Sequence, residues 1–292
     1  MRYVLTTLMI LTSLIATGSS VSAEVMCAEP AASAGTAVTE GTPVATPFTA
    51  TEFPESGGEL TIFAAASLTD AYAEMAENLE AAHPGLTITV ETAGSQSLVT
   101  QLEEGATADV LATANTSTMT RAQESGLISG DPVTFTGNRL VIVTPADNPA
   151  GIASIDDLAG DGIRLVLANP DVPAGNYAAK AFCTYDTVDG APEGFLDSIN
   201  ANLASEESDV RDVLAKVQLG EADAGVVYAS DAKASELSGV SLNVIEFPES
   251  VPTRASYPIA AVEGGNTELA NAFISYVLSD EGQAILKEDG FE

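Results

Sequence analysis

The chain has 292 residues, 42 acidic and 10 basic, with one His, for a formal net charge of −32. This length predicts two lobes or one large domain, and a 46% hydrophobic fraction argues against wholesale disorder and suffices for a core. The charge argues against nucleic acid as a partner, because phosphate neutralisation needs clustered Lys and Arg, and against an anionic membrane surface gripped by a basic patch.

Arg2 and the apolar stretch Val4 to Ala16 lead to the small residues Val21-Ser22-Ala23. This pattern predicts a secretory signal over 1–23, cleaved after Ala23. The competing reading, a transmembrane anchor, needs roughly 18 or more apolar residues. Two fates are open to Cys27: lipid attachment, although Glu24-Val25-Met26 departs from the small residues a lipobox wants, or a disulfide with Cys183, which export permits. Residues 24–56, rich in Ala, Thr, Pro and Glu, lack a period and read as a disordered linker. Most of the acidity therefore belongs to the folded part from residue 57 onward.

The folded part alternates strand and helix patterns. Strands are expected at Glu59 to Ala65, Leu86 to Glu91 and Ala108 to Thr113, and helices at Ser67 to Ala82, Ser97 to Glu104 and Thr116 to Ser125. Further strands are expected at Asn138 to Pro145, Arg164 to Ala168, Asp223 to Tyr228, Leu242 to Phe247 and Tyr257 to Glu263. A helix opens near Pro173, and others cover Val210 to Leu219, Thr267 to Leu278 and Asp280 to Glu288. The alternation predicts an α/β fold with mainly parallel sheets.

Motifs for catalysis are missing from the sequence. A serine nucleophile needs a base, and the one His, His83, sits in a turn beside Pro84. There is no nucleophile elbow, zinc cluster, P-loop or dinucleotide fingerprint. What stands out are hydroxyls at strand-to-helix junctions. Ser67-Leu68-Thr69-Asp70 has the form of a capping box, and Gly94-Ser95-Gln96-Ser97 opens the next helix. Helix N-termini carry a positive partial charge and bind anions, and ligands of open α/β sheets lie at the carboxyl ends of strands.

The order of several short motifs resembles the ModA family, the molybdate-binding proteins of ABC importers. They are Phe63-Ala64-Ala65-Ala66-Ser67-Leu68-Thr69, Gly94-Ser95-Gln96-Ser97-Leu98, Gly105-Ala106-Thr107-Ala108-Asp109-Val110 and Gly137-Asn138-Arg139-Leu140-Val141. Asn169-Pro170-Asp171-Val172-Pro173-Ala174-Gly175, Asp209-Val210-Arg211, Gly225-Val226-Val227-Tyr228, Phe247-Pro248-Glu249-Ser250 and Tyr257-Pro258 follow. The resemblance covers nearly all of 59–292. It implies oxyanion contacts from Ser67, Ser95, Ala174, Val210 and Tyr228. Gln96 stands where the family often has a second Ser. The implied fold is a two-lobed, type II periplasmic binding protein, with lobe 1 at 57–139 and 253–292, lobe 2 at 140–252, and two hinge crossings. The implied function is capture of molybdate, with tungstate next, then sulfate or another oxyanion, and delivery to a permease by an exported monomer without cofactor or enzymatic activity. The remaining alternatives are a serine hydrolase using Ser67 or Ser95 and a surface adhesion or structural domain that kept the fold but lost the pocket.

Overall fold

A computed structural model describes Cys27 and residues 51–292. The leader expected over 1–23, and the linker apart from Cys27 and residues 51–56, lie outside the described residues.

Strands β1 (Gly58–Ala65), β2 (Leu86–Ala93) and β3 (Val110–Ala112) run parallel in the order β2-β1-β3. Helices α1 (Thr69–Ala82) and α2 (Ser95–Glu103) make the crossovers. Leu60, Ile62, Phe63, Ala64 and Ala65 are all buried, the near-continuous apolar run of a parallel strand covered on both faces. Helix α3 (Thr116–Glu124), capped by Asn115 Oδ1 accepting from Thr118 N at 2.9 Å, leads into β4 (Ile128–Pro145).

β4 joins two halves of the sheet. Its residues Ile128 to Arg139 pair antiparallel with β9 (Arg254–Val262), while Leu140 to Pro145 pair with β7 (Ala224–Tyr228) and β8 (Leu242–Glu246). Beyond β7 the second half continues in parallel through β5 (Leu165–Ala168) to β6 (Leu203–Glu207). The complete order is β2-β1-β3-β9-β4-β7-β5-β6, with β8 also on β4. Helices α4 (Pro173–Tyr185), α5 (Phe195–Asn202), α6 (Val210–Gln218) and α7 (Ala229–Leu237) belong to the second half. After β9 the chain ends with α8 (Thr267–Val277) and α9 (Asp280–Glu288) on the first half. The strands that connect the halves are antiparallel and those on the flanks are parallel.

The sequence reading begins β4 at Asn138, but the strand starts at Ile128. Gly130 and Pro132 interrupt its pattern, and register shifts after Ser129 and after Thr134 absorb them. α5, β6 and α7 are absent from that reading. Leu203-Ala204-Ser205-Glu206-Glu207 is too polar to read as a strand, and α7 has no apolar stripe. α7 is started instead by Asp231, whose carboxylate accepts from Tyr228 N at 3.0 Å. The Ser67–Asp70 capping box does not form: α1 is preceded by a 3-10 turn, Ala66–Leu68, and has no side-chain cap.

Cys27 is disulfide-bonded to Cys183 of α4, with Cα atoms 5.7 Å apart. A bonded sulfur has no thiol for a lipid thioether, so the disulfide replaces the lipid-anchored reading of Cys27. Residues 51–56 rest on the first half: Thr51 N donates to Ser275 Oγ at 2.8 Å, and Phe53 meets the His83 ring at 5.0 Å.

Candidate functional site

The five residues singled out above line one cavity between the sheet halves. Ser67 lies in the 3-10 turn after β1, and Ser95 is the first residue of α2. Ala174 is second in α4, behind Pro173, and Val210 is first in α6. Tyr228 closes β7 and precedes α7. Each helix start leaves backbone N–H groups without an intrahelical partner. Pro173 suits the first turn because it has no N–H to satisfy. Several positive helix ends thus converge on one point.

The hydroxyls are arranged as donors. Ser95 Oγ accepts a hydrogen bond from Ala114 N at 3.1 Å, which leaves its own proton free to point into the cavity. Ser67 Oγ lies 2.8 Å from Tyr257 Oη. Asn138 Nδ2 approaches the same Tyr257 oxygen at 3.5 Å and donates to Ser230 Oγ at 2.8 Å, while Asn138 Oδ1 accepts from Arg139 N at 2.9 Å. Tyr257 thus ties Ser67 to Asn138, and when Tyr257 donates the shared proton the Ser67 proton is left for the cavity. Tyr228 is 1% exposed, and its hydroxyl lies beside that of Tyr257 but short of hydrogen-bond geometry. Burial raises its pKa well above the ordinary tyrosine value, so it remains protonated and a donor.

An unpaired buried hydroxyl costs roughly 1–3 kcal/mol. Such a group at a convergence of amide donors is a site awaiting an acceptor. Among the described residues no Lys or Arg lines the cavity. Arg211, next to Val210, is taken up by Asp70 and Asp231 at 2.6 and 2.9 Å. The lining carboxylate, Asp209, accepts from Arg211 N and Asp212 N as the cap of α6. Burial raises its pKa, and its Oδ1 is turned to the helix.

The cavity is small, with room for about one water-sized sphere, and suits a compact ion better than a sugar or amino acid. Glycine permits two close approaches beside it. A Cβ on Gly94 would stand 2.7 Å from the Ser208 carbonyl oxygen, and one on Gly175 would stand 2.2 Å from that of Asn169. His83 lines a separate cavity beside Tyr276 and supplies no base to Ser67 or Ser95. Among the described residues no cluster suits a metal ion.

The family model for bacterial extracellular solute-binding proteins matches residues 60–292. The molybdate-binding protein ModA of Mycobacterium tuberculosis H37Rv is 37% identical over 233 residues, covering 80% of this chain and 84% of that protein. The ModA of Escherichia coli K12 is 36% identical over 241 residues, covering 80% and 89%. The chain belongs to the ModA family. A solved substrate-binding domain assigned to a molybdenum ABC transporter of Clostridium difficile matches with 30% identity and a TM-score of 0.58, covering 80% of this chain and 98% of that one. The ModA relationship makes the protein an exported solute-binding protein of α/β fold. Among the described residues no helix is long and apolar enough to cross a membrane.

Tyr257, Asn138, Asp70 and Gln96 were not marked as site residues by the sequence. The Ser-x-x-Asp spacing did bring Asp70 to notice, but for capping.

Proposed function

We propose that the chain captures molybdate between two lobes, 57–139 with 253–292 and 140–252, and presents it to the permease of an ABC importer. The observation that carries this reading is the Tyr228 hydroxyl, buried and unpartnered among helix N-termini without a cation. In it, Ser67, Ser95 and Tyr228 donate hydroxyl protons and Ala174 and Val210 donate amide protons. Hydrogen bonds to an ionised acceptor are about twice as strong as neutral ones. A site whose facing groups are mostly donors offers little to a ligand's own proton, so it favours a fully deprotonated oxyanion. Size then separates molybdate and tungstate from the smaller sulfate.

Binding forms no covalent bond, and the role is carriage. Long-range repulsion from the acidic surface is screened beyond about 10 Å at 0.1 M salt; at contact the oriented donors decide. The two strands that cross near Arg139 and Thr253 act as the hinge. A signal cleaved after Ala23 delivers the chain as a soluble monomer, with Cys27 held by its disulfide. Titration calorimetry of the mature protein tests the reading. Saturable one-to-one heat with molybdate and tungstate, and far weaker competition by sulfate, is expected; equal affinity for sulfate would remove the size argument.

A further inference from the structure

Two side chains reach across the closed cleft without entering the cavity. Asp70, three residues after Ser67, holds Arg211 Nη2 at 2.6 Å. Gln96, the residue after Ser95, donates from Nε2 to the Ser208 carbonyl at 3.2 Å. Asp70 and Gln96 stand on the first half of the sheet, and Arg211 and Ser208 on the second.

The Arg211 guanidinium is already fixed within its own half. Its Nε lies 2.9 Å from Asp231, which is wholly buried at the start of α7. Exposed ion pairs add little when both long side chains must be immobilised. Here Asp231 has ordered the guanidinium, whose planar fork leaves another edge facing Asp70. Opening the cleft would break Asp70–Arg211 and Gln96–Ser208 but leave Arg211–Asp231 intact. Both cross-cleft bonds therefore belong to the closed state alone.

We propose that Asp70, acting through Arg211, and Gln96, acting through Ser208, latch the closed cleft and set the residence time of the bound oxyanion. They are positioning residues. The proposal rests on the molybdate-capture reading for the ligand and on the geometry above for the latch.

The test uses the mature protein, exchange of radiolabelled molybdate, and the variants Asp70→Asn and Gln96→Ala. Asp70 is half exposed, and Asp231 still neutralises Arg211 in the variant, so the fold is retained. Asp70→Asn is expected to release molybdate about tenfold faster, the scale of one charge-assisted bond, while association changes little. Release from the wild type should quicken as salt rises, and release from Asp70→Asn should lose that dependence, which a general loss of stability would not produce. Gln96→Ala should release molybdate several-fold faster and keep the salt dependence. Wild-type release rates in both variants, or unchanged salt dependence in Asp70→Asn, would overturn the latch. A wild type that binds no oxyanion would overturn the capture reading instead. The latch would then be judged by small-angle scattering of the ligand-free proteins: more open variants support it, and variants as compact as the wild type overturn it.

Discussion

Ser67 Oγ and Tyr257 Oη stand 2.8 Å apart although 190 residues separate them in the chain. Tyr257 lies on β9, one of the strands that link the sheet halves, and its ring packs edge-on against Phe135 and Phe291. A rigid tyrosine on the connecting strand thus orients a hydroxyl at the cavity. Tyr257→Phe removes the hydroxyl that bonds Ser67 and leaves the ring packing. Molybdate affinity by calorimetry should fall about tenfold, the scale of one buried hydrogen bond, with an unchanged circular dichroism spectrum. Full affinity would mean that Ser67 orients itself.

The buried Tyr228 hydroxyl, short of a hydrogen-bond partner, carries a stability cost. In Tyr228→Phe the unpaired hydroxyl is gone. The ligand-free variant should resist urea better than the wild type by about 1 kcal/mol. Its molybdate affinity should fall by roughly ten- to a hundredfold, because a bond to an ion is lost. Denaturation and calorimetry on the same preparation measure both. A variant less stable than the wild type would show that the hydroxyl is satisfied in the empty protein.

At Gly94 the two halves approach closely beside the cavity. Its φ is −56°, so Ala there is not strained by its backbone and acts only through its Cβ. That atom would stand 2.7 Å from the Ser208 oxygen and 2.5 Å from the Gln96 amide nitrogen. The glutamine can move aside, but the backbone carbonyl yields only if the cleft opens. Gly94→Ala should therefore weaken molybdate binding at least about tenfold while leaving thermal unfolding of the ligand-free chain little changed. Calorimetry and a melting curve decide it.

The elements with a strong apolar rhythm were legible in the sequence. α1 presents Ala71, Tyr72, Met75 and Leu79 inward, and α6 presents Val210, Val213, Leu214 and Val217. α7 was not legible, because a carboxylate bonded to Tyr228 N starts it and no stripe of large apolar side chains marks it. Ser67 and Ser95 were legible as hydroxyls at helix starts, but Ala174, Val210 and Tyr228 only through resemblance: on their own they read as core, and they are buried like core. The partners of those residues could not be read at all. Tyr257 and Ser67, or Gln96 and Ser208, are joined by the folding of β9 and β4 beside one another, and nothing local records that meeting.

Asp289 follows α9 and is 8% exposed. Burial first, then the charges of Asp70 and Glu74, push its carboxyl up to about 6, with Arg211 opposing. An acid raised above its unfolded value, near 3.9, contributes stability that is complete below that value and is lost as pH rises through the folded pKa. The wild type should therefore lose this contribution between pH 4 and pH 6. Asp289→Asn should match the wild type at pH 4 and exceed it at pH 7.5 by up to about 3 kcal/mol. Urea unfolding at the two pH values gives the difference, and a gap independent of pH would contradict it.

The bond between Cys27 and Cys183 bears on how the chain matures after export. With two cysteines in the sequence, one intramolecular pairing exists, where four would allow three. Oxidation of a single chain has no wrong bridge to choose. The protein needs an oxidant once residue 183 has emerged, and a disulfide-reshuffling catalyst would find nothing within the molecule to correct.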